Sequence, residues 1–264
     1  MVIWSLLYCV AVAVPLVVGC LALVALGRPW KKYYQRIVLL YGRVMIYVAF
    51  FPVVRVRYQD LAPGDNKCGI YIFNHRSASD AFLVGALNVT MIQIVNGWPM
   101  RLPFFGIFAK LADFIDATKM TLEEITDHIK KITDTGVSVI VFPEGTRSGG
   151  RTMNHFHSGI FRVAQTLKLP VYPCSITGNE NLPDRSFRFS VGTVQVRKGA
   201  AIPMEWLERD TAFVLKRKVQ NLIAEQICEA EGTMIQANQR FRSDKLPITR
   251  PHQPLRSLFP KTKH

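Results

Sequence analysis

The sequence predicts an α/β fold: a mixed, largely parallel sheet flanked by helices and preceded by N-terminal membrane helices. Three observations carry this expectation. Residues 2–26 hold no charged side chain. A flank rich in arginine, lysine and aromatic residues follows at once. From Val56 onward, short β-like runs alternate with helix-like ones, the pattern of strands joined by crossover helices.

At 1.5 Å per residue, a helix over residues 2–26 reaches ~37 Å, enough to cross a ~30 Å hydrocarbon core. A cleavable leader needs a basic start, a shorter apolar run and a small-residue cleavage site, and this stretch has none of them. Behind it, "GRPWKKYYQR" sets Arg28, Lys31, Lys32 and Arg36 beside Trp30, Tyr33 and Tyr34. This is a positive-inside flank with an aromatic belt, which is expected to put the C-terminal bulk on the cytoplasmic face of a single-pass chain. Residues 37–54 form a second apolar run interrupted by Arg43. An arginine at the bilayer centre costs roughly 2.5–3.5 kcal/mol. An interfacial or re-entrant helix with Arg43 reaching the headgroups is therefore expected, with a two-span hairpin as the alternative. The expected organisation is a transmembrane helix (1–27), an interfacial helix (28–55), an α/β domain (56–240) and a basic extended tail (241–264).

Within the α/β domain, "CGIYIF", "VSVIVF", "PVYPCSI" and "SVGTVQVRKG" read as strands. Helices are expected over "SDAFLVGALN", "LPFFGIFAKLAD", "TLEEITDHIKKITDTG", "HSGIFRVAQTLK" and "DTAFVLKRKVQNLIAEQI". In the third of these, Thr121 caps, Glu123 and Glu124 fill the first turn, and Gly136 stops the helix.

Composition narrows the partners. Lys and Arg number 33 against 19 Asp and Glu, giving a net charge of +14 and a pI near 9.8. Such a surplus suits an anionic partner. Its basic residues are spread over a membrane flank, helices and tail, with no nucleic-acid-binding signature, so a lipid bilayer is expected and nucleic acid is not. The five cysteines form no paired framework, and reduced thiols are expected.

Two loops carry polar groups at strand ends, where open α/β sheets bind ligands. "NHRSASD" places His75 behind the first strand and Asp80 five residues on. A helix turns ~100° per residue, so the two touch only if His75 lies in a loop and Asp80 in the first helical turn. The competing reading is a capping box, with Ser77 as cap and Asp80 serving only the helix end. "FPEGTRS" ends another strand in a turn holding Glu144, Gly145, Thr146, Arg147 and Ser148, groups suited to an anionic substrate.

With its N-H-x-x-x-x-D segment and an F-P-E-G-T-R-S segment 68 residues later, the chain resembles the glycerolipid (lysophosphatidic acid-type) acyltransferases. "LPFFGIFAKLADFIDA" and "LPVYPCSITG" resemble that family's second and fourth blocks, and the likeness spans about residues 50–220. It implies a membrane-bound acyltransferase moving an acyl group from acyl-CoA or acyl-ACP to a hydroxyl of a lysolipid acceptor. His75 would be general base and Asp80 its orienting partner. Substrate binding would fall to Asn74, Arg76, Ser77, Lys119, Glu144, Gly145, Thr146, Arg147 and Ser148. No metal or other cofactor is implied. The alternative is an inactive, membrane-anchored lipid-binding member of the same fold. No G-x-S-x-G elbow occurs, which disfavours an acyl-enzyme route, and Cys174 reads as strand core.

Three positions depart from the family pattern: Leu111 for a glycine, Ala117 for an arginine and His157 for a lysine. They remove cations near the expected headgroup site, and Lys119 is the expected replacement. Another lysophospholipid or a lyso-aminolipid thus stays open as acceptor. His155 and His157 lack a third ligand at metal-binding spacing.

Overall fold

The computed structural model describes residues 18–19, 22, 24–27, 30–49, 54–97, 99–101, 105–180, 182 and 191–243. Most of the uncharged N-terminal run and nearly all of the basic tail lie outside them. At the described end of that run the backbone is helical, with Val18, Val24 and Leu26 exposed. Among the described residues no helix is long and apolar enough to cross a membrane.

Within the segment 28–55, expected to be interfacial or re-entrant, lies helix α1 (Trp30–Val44), which runs into a π turn at Met45–Ala49. It is not one unbroken apolar helix through residues 37–54, because strand β1 (Val54–Asp60) already begins there. Its inner face docks on the domain. Tyr34 is buried and donates from its hydroxyl to the Phe108 carbonyl, and Ile46 is buried as well. Gly42 meets Gly85 backbone to backbone, so closely that a side chain at Gly85 would press on Gly42 and Arg43. Arg43 extends over the Tyr47 ring, 5.7 Å from its centroid.

Seven strands form the sheet: β1, β2 (Ile70–Phe73), β3 (Met91–Val95), β4 (Ile115–Asp116), β5 (Ser138–Val141), β6 (Val171–Thr177) and β7 (Gly192–Lys198). Their spatial order is β1-β7-β6-β2-β5-β3-β4. Strands β6, β2, β5, β3 and β4 run parallel; β7 is antiparallel to β6, and β1 is parallel to β7. The expected mixed, largely parallel sheet is what forms, and β1, β3 and β4 are additions to the predicted strands.

Period-two alternation sorts the core onto two faces. Ile70, Ile72, Val139 and Val141 point to one face, under helices α4 (Leu122–Asp134), α5 (Gly159–Leu167) and α7 (Ala212–Ser243). Tyr71, Phe73, Ile140, Cys174 and Ile176 point to the other, beneath Ile46, α2 (Asp80–Leu83) and the 3-10 turn Val84–Leu87. Helices α3 (Phe105–Leu111) and α6 (Met204–Arg209) complete the described set. Helix α4 has the predicted start: Thr121 Oγ1 accepts from the Glu124 N–H, while Glu124 accepts from the Thr121 N–H. Helix α7 runs to Ser243, past the boundary expected at residue 240.

Candidate active site

Because five neighbouring strands run parallel, their carboxyl ends share one edge, and both polar loops stand there. His75 follows β2, and the turn from Phe142 follows β5, the next strand. The two are joined through the main chain. The His75 N–H donates to Glu144 Oε1 at 2.6 Å, and the Ser148 N–H donates to the His75 carbonyl at 2.8 Å. Glu144 Oε2 accepts from the Asn154 N–H at 2.8 Å. One turn thus grips the histidine peptide on both sides.

The imidazole meets Asp80. Nδ1 lies 2.7 Å from Oδ2, and the same oxygen accepts from the N–H groups of Arg76 (2.7 Å) and Ser77 (2.9 Å). Oδ1 accepts from Asn179 Nδ2. Surrounded by donors, a carboxylate is the acceptor, so Nδ1 carries the hydrogen and Nε2 keeps its lone pair. Asp80 is fully buried, whereas the His75 side chain is 22% exposed. Phe142 stacks on the ring with centroids 4.6 Å apart, which fixes its plane.

The capping-box reading is corrected. Helix α2 begins at Asp80 itself, Ser79 precedes it, and the Ser77 hydroxyl donates to the Leu182 carbonyl instead. Four expected substrate-binding residues also have their side chains engaged by the protein. Asn74 is buried, its amide exchanging hydrogen bonds with the Ile176 N–H and carbonyl. Arg76 is buried too; it pairs with Glu180 and, at 2.9 Å, with Glu231, and donates to the Arg151 carbonyl at 2.7 Å. Ser77 and Glu144 hold the loops as described. These side chains shape the site from behind.

Gly145, Thr146 and Arg147 remain exposed on the gripping turn. Gly145 sits at φ +69°, and a Cβ there would lie 3.2 Å from His157 Nε2. His157 therefore packs against the turn, although its sequence position suggested only a lost lysine. Lys119 is exposed beyond β4, three strands from β2, and the structure does not bring it to the imidazole. Near it, burial pushes the Asp116 carboxyl up, but hydrogen bonds from the Thr118 hydroxyl and N–H, with Lys119 and Arg101 nearby, hold it below the usual range. Burial is also the main influence on Glu144, whose carboxyl is raised. Among the described residues no group of three or more His, Cys, Asp or Glu is placed to hold a metal.

Sequence reasoning missed Asn179, Asn154 and Glu231. Asn179 carried a usable signal, since it stands in a polar turn just past β6, as His75 does past β2.

A family model described as Acyltransferase matches residues 53–177. The 1-acyl-sn-glycerol-3-phosphate acyltransferase of Limnanthes alba is 28% identical over 204 residues, covering 73% of this chain and 70% of its own. The enzyme of the same name from Escherichia coli (strain K12) is 29% identical over 172 residues, 61% of this chain and 68% of its own. In three dimensions the chain resembles the crystal structure of the 1-acyl-sn-glycerophosphate acyltransferase from Thermotoga maritima. That match has a TM-score of 0.62 at 22% identity and covers 76% of this chain and 81% of that one. Over residues 53–177 the chain is similar to acyltransferases, and the relatives it resembles act on glycerolipids by name. Both segments singled out in the sequence, NHRSASD and FPEGTRS, stand on the edge just described. The likeness to the Thermotoga structure extends to the fold, a mixed and mostly parallel sheet between helices.

Proposed function

We propose that this acyltransferase moves a fatty acyl group from a thioester of coenzyme A or acyl carrier protein to the free hydroxyl of a lysoglycerophospholipid. Lysophosphatidic acid is the first candidate acceptor, because the relatives described above are named for it. One observation carries the mechanism. Asp80 takes up Nδ1 of His75 and leaves Nε2 as the basic atom of a ring that is partly exposed.

Nε2 removes the proton from the acceptor hydroxyl as its oxygen attacks the thioester carbonyl. The imidazolium that forms is stabilised by Asp80. The tetrahedral oxyanion collapses, the C–S bond breaks, and the departing thiolate takes the proton back from Nε2. Ester and free thiol result, with atoms and charge balanced. Arg147, exposed on the turn that grips His75, offers a planar fork to the acceptor's phosphate. Ala117 supplies no second fork, which relaxes the demand for a phosphomonoester. The lipid bilayer is the proposed partner and the cytoplasmic face of the bacterial inner membrane the proposed location, from the uncharged N-terminal run and its basic flank.

The test uses full-length protein in detergent with acyl-CoA or acyl-ACP and a panel of lysolipids, following thiol release and acylated product by mass spectrometry. Acceptor-dependent thiol release is expected, and His75→Ala should abolish it with the fold retained. Full activity of His75→Ala, or no release with any lysoglycerolipid, would overturn the proposal.

A further inference from the structure

Helix α7 lays Leu215, Val219, Ile223 and Ile227 against the sheet, each four residues from the last and each buried. One step further along the same stripe stands Glu231. Its side chain is 27% exposed and reaches inward to the guanidinium of Arg76, which is fully buried and needs compensating carboxylates. Nη1 of Arg76 bridges Glu231 and Glu180, and Nη2 is held by the Arg151 carbonyl. Four separate segments therefore meet at one side chain: the loop behind β2, the turn behind β6, the loop after the gripping turn, and α7.

Arg76 is also the residue next to His75, and its N–H donates to the Asp80 oxygen that receives Nδ1. Asn179, next to Glu180, holds the other Asp80 oxygen. Any slip of the guanidinium moves the peptide that sets the distance between His75 and Asp80. We propose that Glu231 is a positioning residue: with Glu180, and acting through Arg76, it holds the His75–Asp80 pair in the geometry for proton transfer, making α7 part of the working site. This inference rests on His75 being the base.

Glu231 is the residue to probe, because Arg76→Ala would leave two carboxylates without their cation and risk unfolding. Glu231→Ala leaves Arg76 paired with Glu180. In the full-length chain Glu231→Ala should lower kcat roughly tenfold with KM for the lysolipid nearly unchanged, since small misplacements of reacting groups act on the chemical step. Glu231→Asp should restore most of that loss. The Nδ1–H proton resonance of His75, assigned through His75→Gln, should move or broaden in Glu231→Ala and return in Glu231→Asp. A lower Tm with unchanged kcat and an unchanged resonance would show a role in fold stability alone and overturn the inference. Equal losses in the Ala and Asp variants would overturn it as well. If His75→Ala kept its activity, the base assignment would fail, while the resonance would still report whether Glu231 holds the pair.

Discussion

Asp80 holds His75 across five residues of chain, Oδ2 to Nδ1 at 2.7 Å, with the N–H groups of Arg76 and Ser77 on the same oxygen. The contact forms because the loop curls around the carboxylate as α2 begins. It fixes both the tautomer and the direction of the imidazole.

Asp80→Asn should therefore be nearly as damaging as Asp80→Ala. Four donors converge on this carboxylate, and an amide would turn its own NH2 toward some of them. We expect kcat to fall on the order of 10²–10⁴-fold and stability to fall by about 1–3 kcal/mol from unmet donors. Assays of thiol release and thermal unfolding check both values. Wild-type turnover in Asp80→Asn would mean that the carboxylate only organises the loop.

Glu144 gives a pH prediction. Burial favours its neutral form, so the folded chain keeps that proton to higher pH than the unfolded chain does. Stability should then fall as pH rises from the ordinary glutamate range through the raised value. Glu144→Gln should flatten this slope. Its amide would also face the N–H of His75 or Asn154, costing roughly 1–3 kcal/mol. Asp65 acts oppositely at lower pH. The Ala201 N–H, chief among its influences, holds its carboxyl below the usual range, so its contribution is present above the ordinary value and lost below it. Unfolding curves across pH for wild type and Glu144→Gln decide the matter.

Gly145→Ala should destabilise the gripping turn by two separable effects. Its positive φ costs an alanine about 1–2 kcal/mol, and the new methyl meets the His157 ring. In a double-mutant cycle His157→Ala should recover the ring contact and leave the backbone cost. Strict additivity would show that the ring yields freely.

Cys174 should resist alkylation in the native protein, while Cys228 reacts. Cys174 is fully buried, and that burial pushes its thiol well above the usual range; Cys228 is exposed. Cys174→Ala should keep acyl transfer and lose about 1–2 kcal/mol of stability as a packing defect. Loss of turnover at full stability would reopen a thioester intermediate on that sulfur.

Strands β2, β5, β6 and β7 were legible because apolar, β-branched runs ended at turn residues, and α4 because Thr121 and Glu124 spelled out its start. Strand β1 was hidden by Arg55 and Arg57, charges that an edge strand tolerates on its open side. Strand β4 was hidden by its two-residue length. At the site, His75 and Asp80 could be paired from spacing and strand context. Arg76 could not be placed, since a cation beside a catalytic residue reads as a ligand for substrate. Its carboxylates lie 104 and 155 residues away, and only the folded chain reveals them.

Strands β1 and β7 run against the other five, so β1 starts on the edge where His75 stands. The chain that enters the sheet at Val54 therefore does so on the same side as the two polar loops, so the strand that begins the α/β body and the turns that end its parallel strands share one rim.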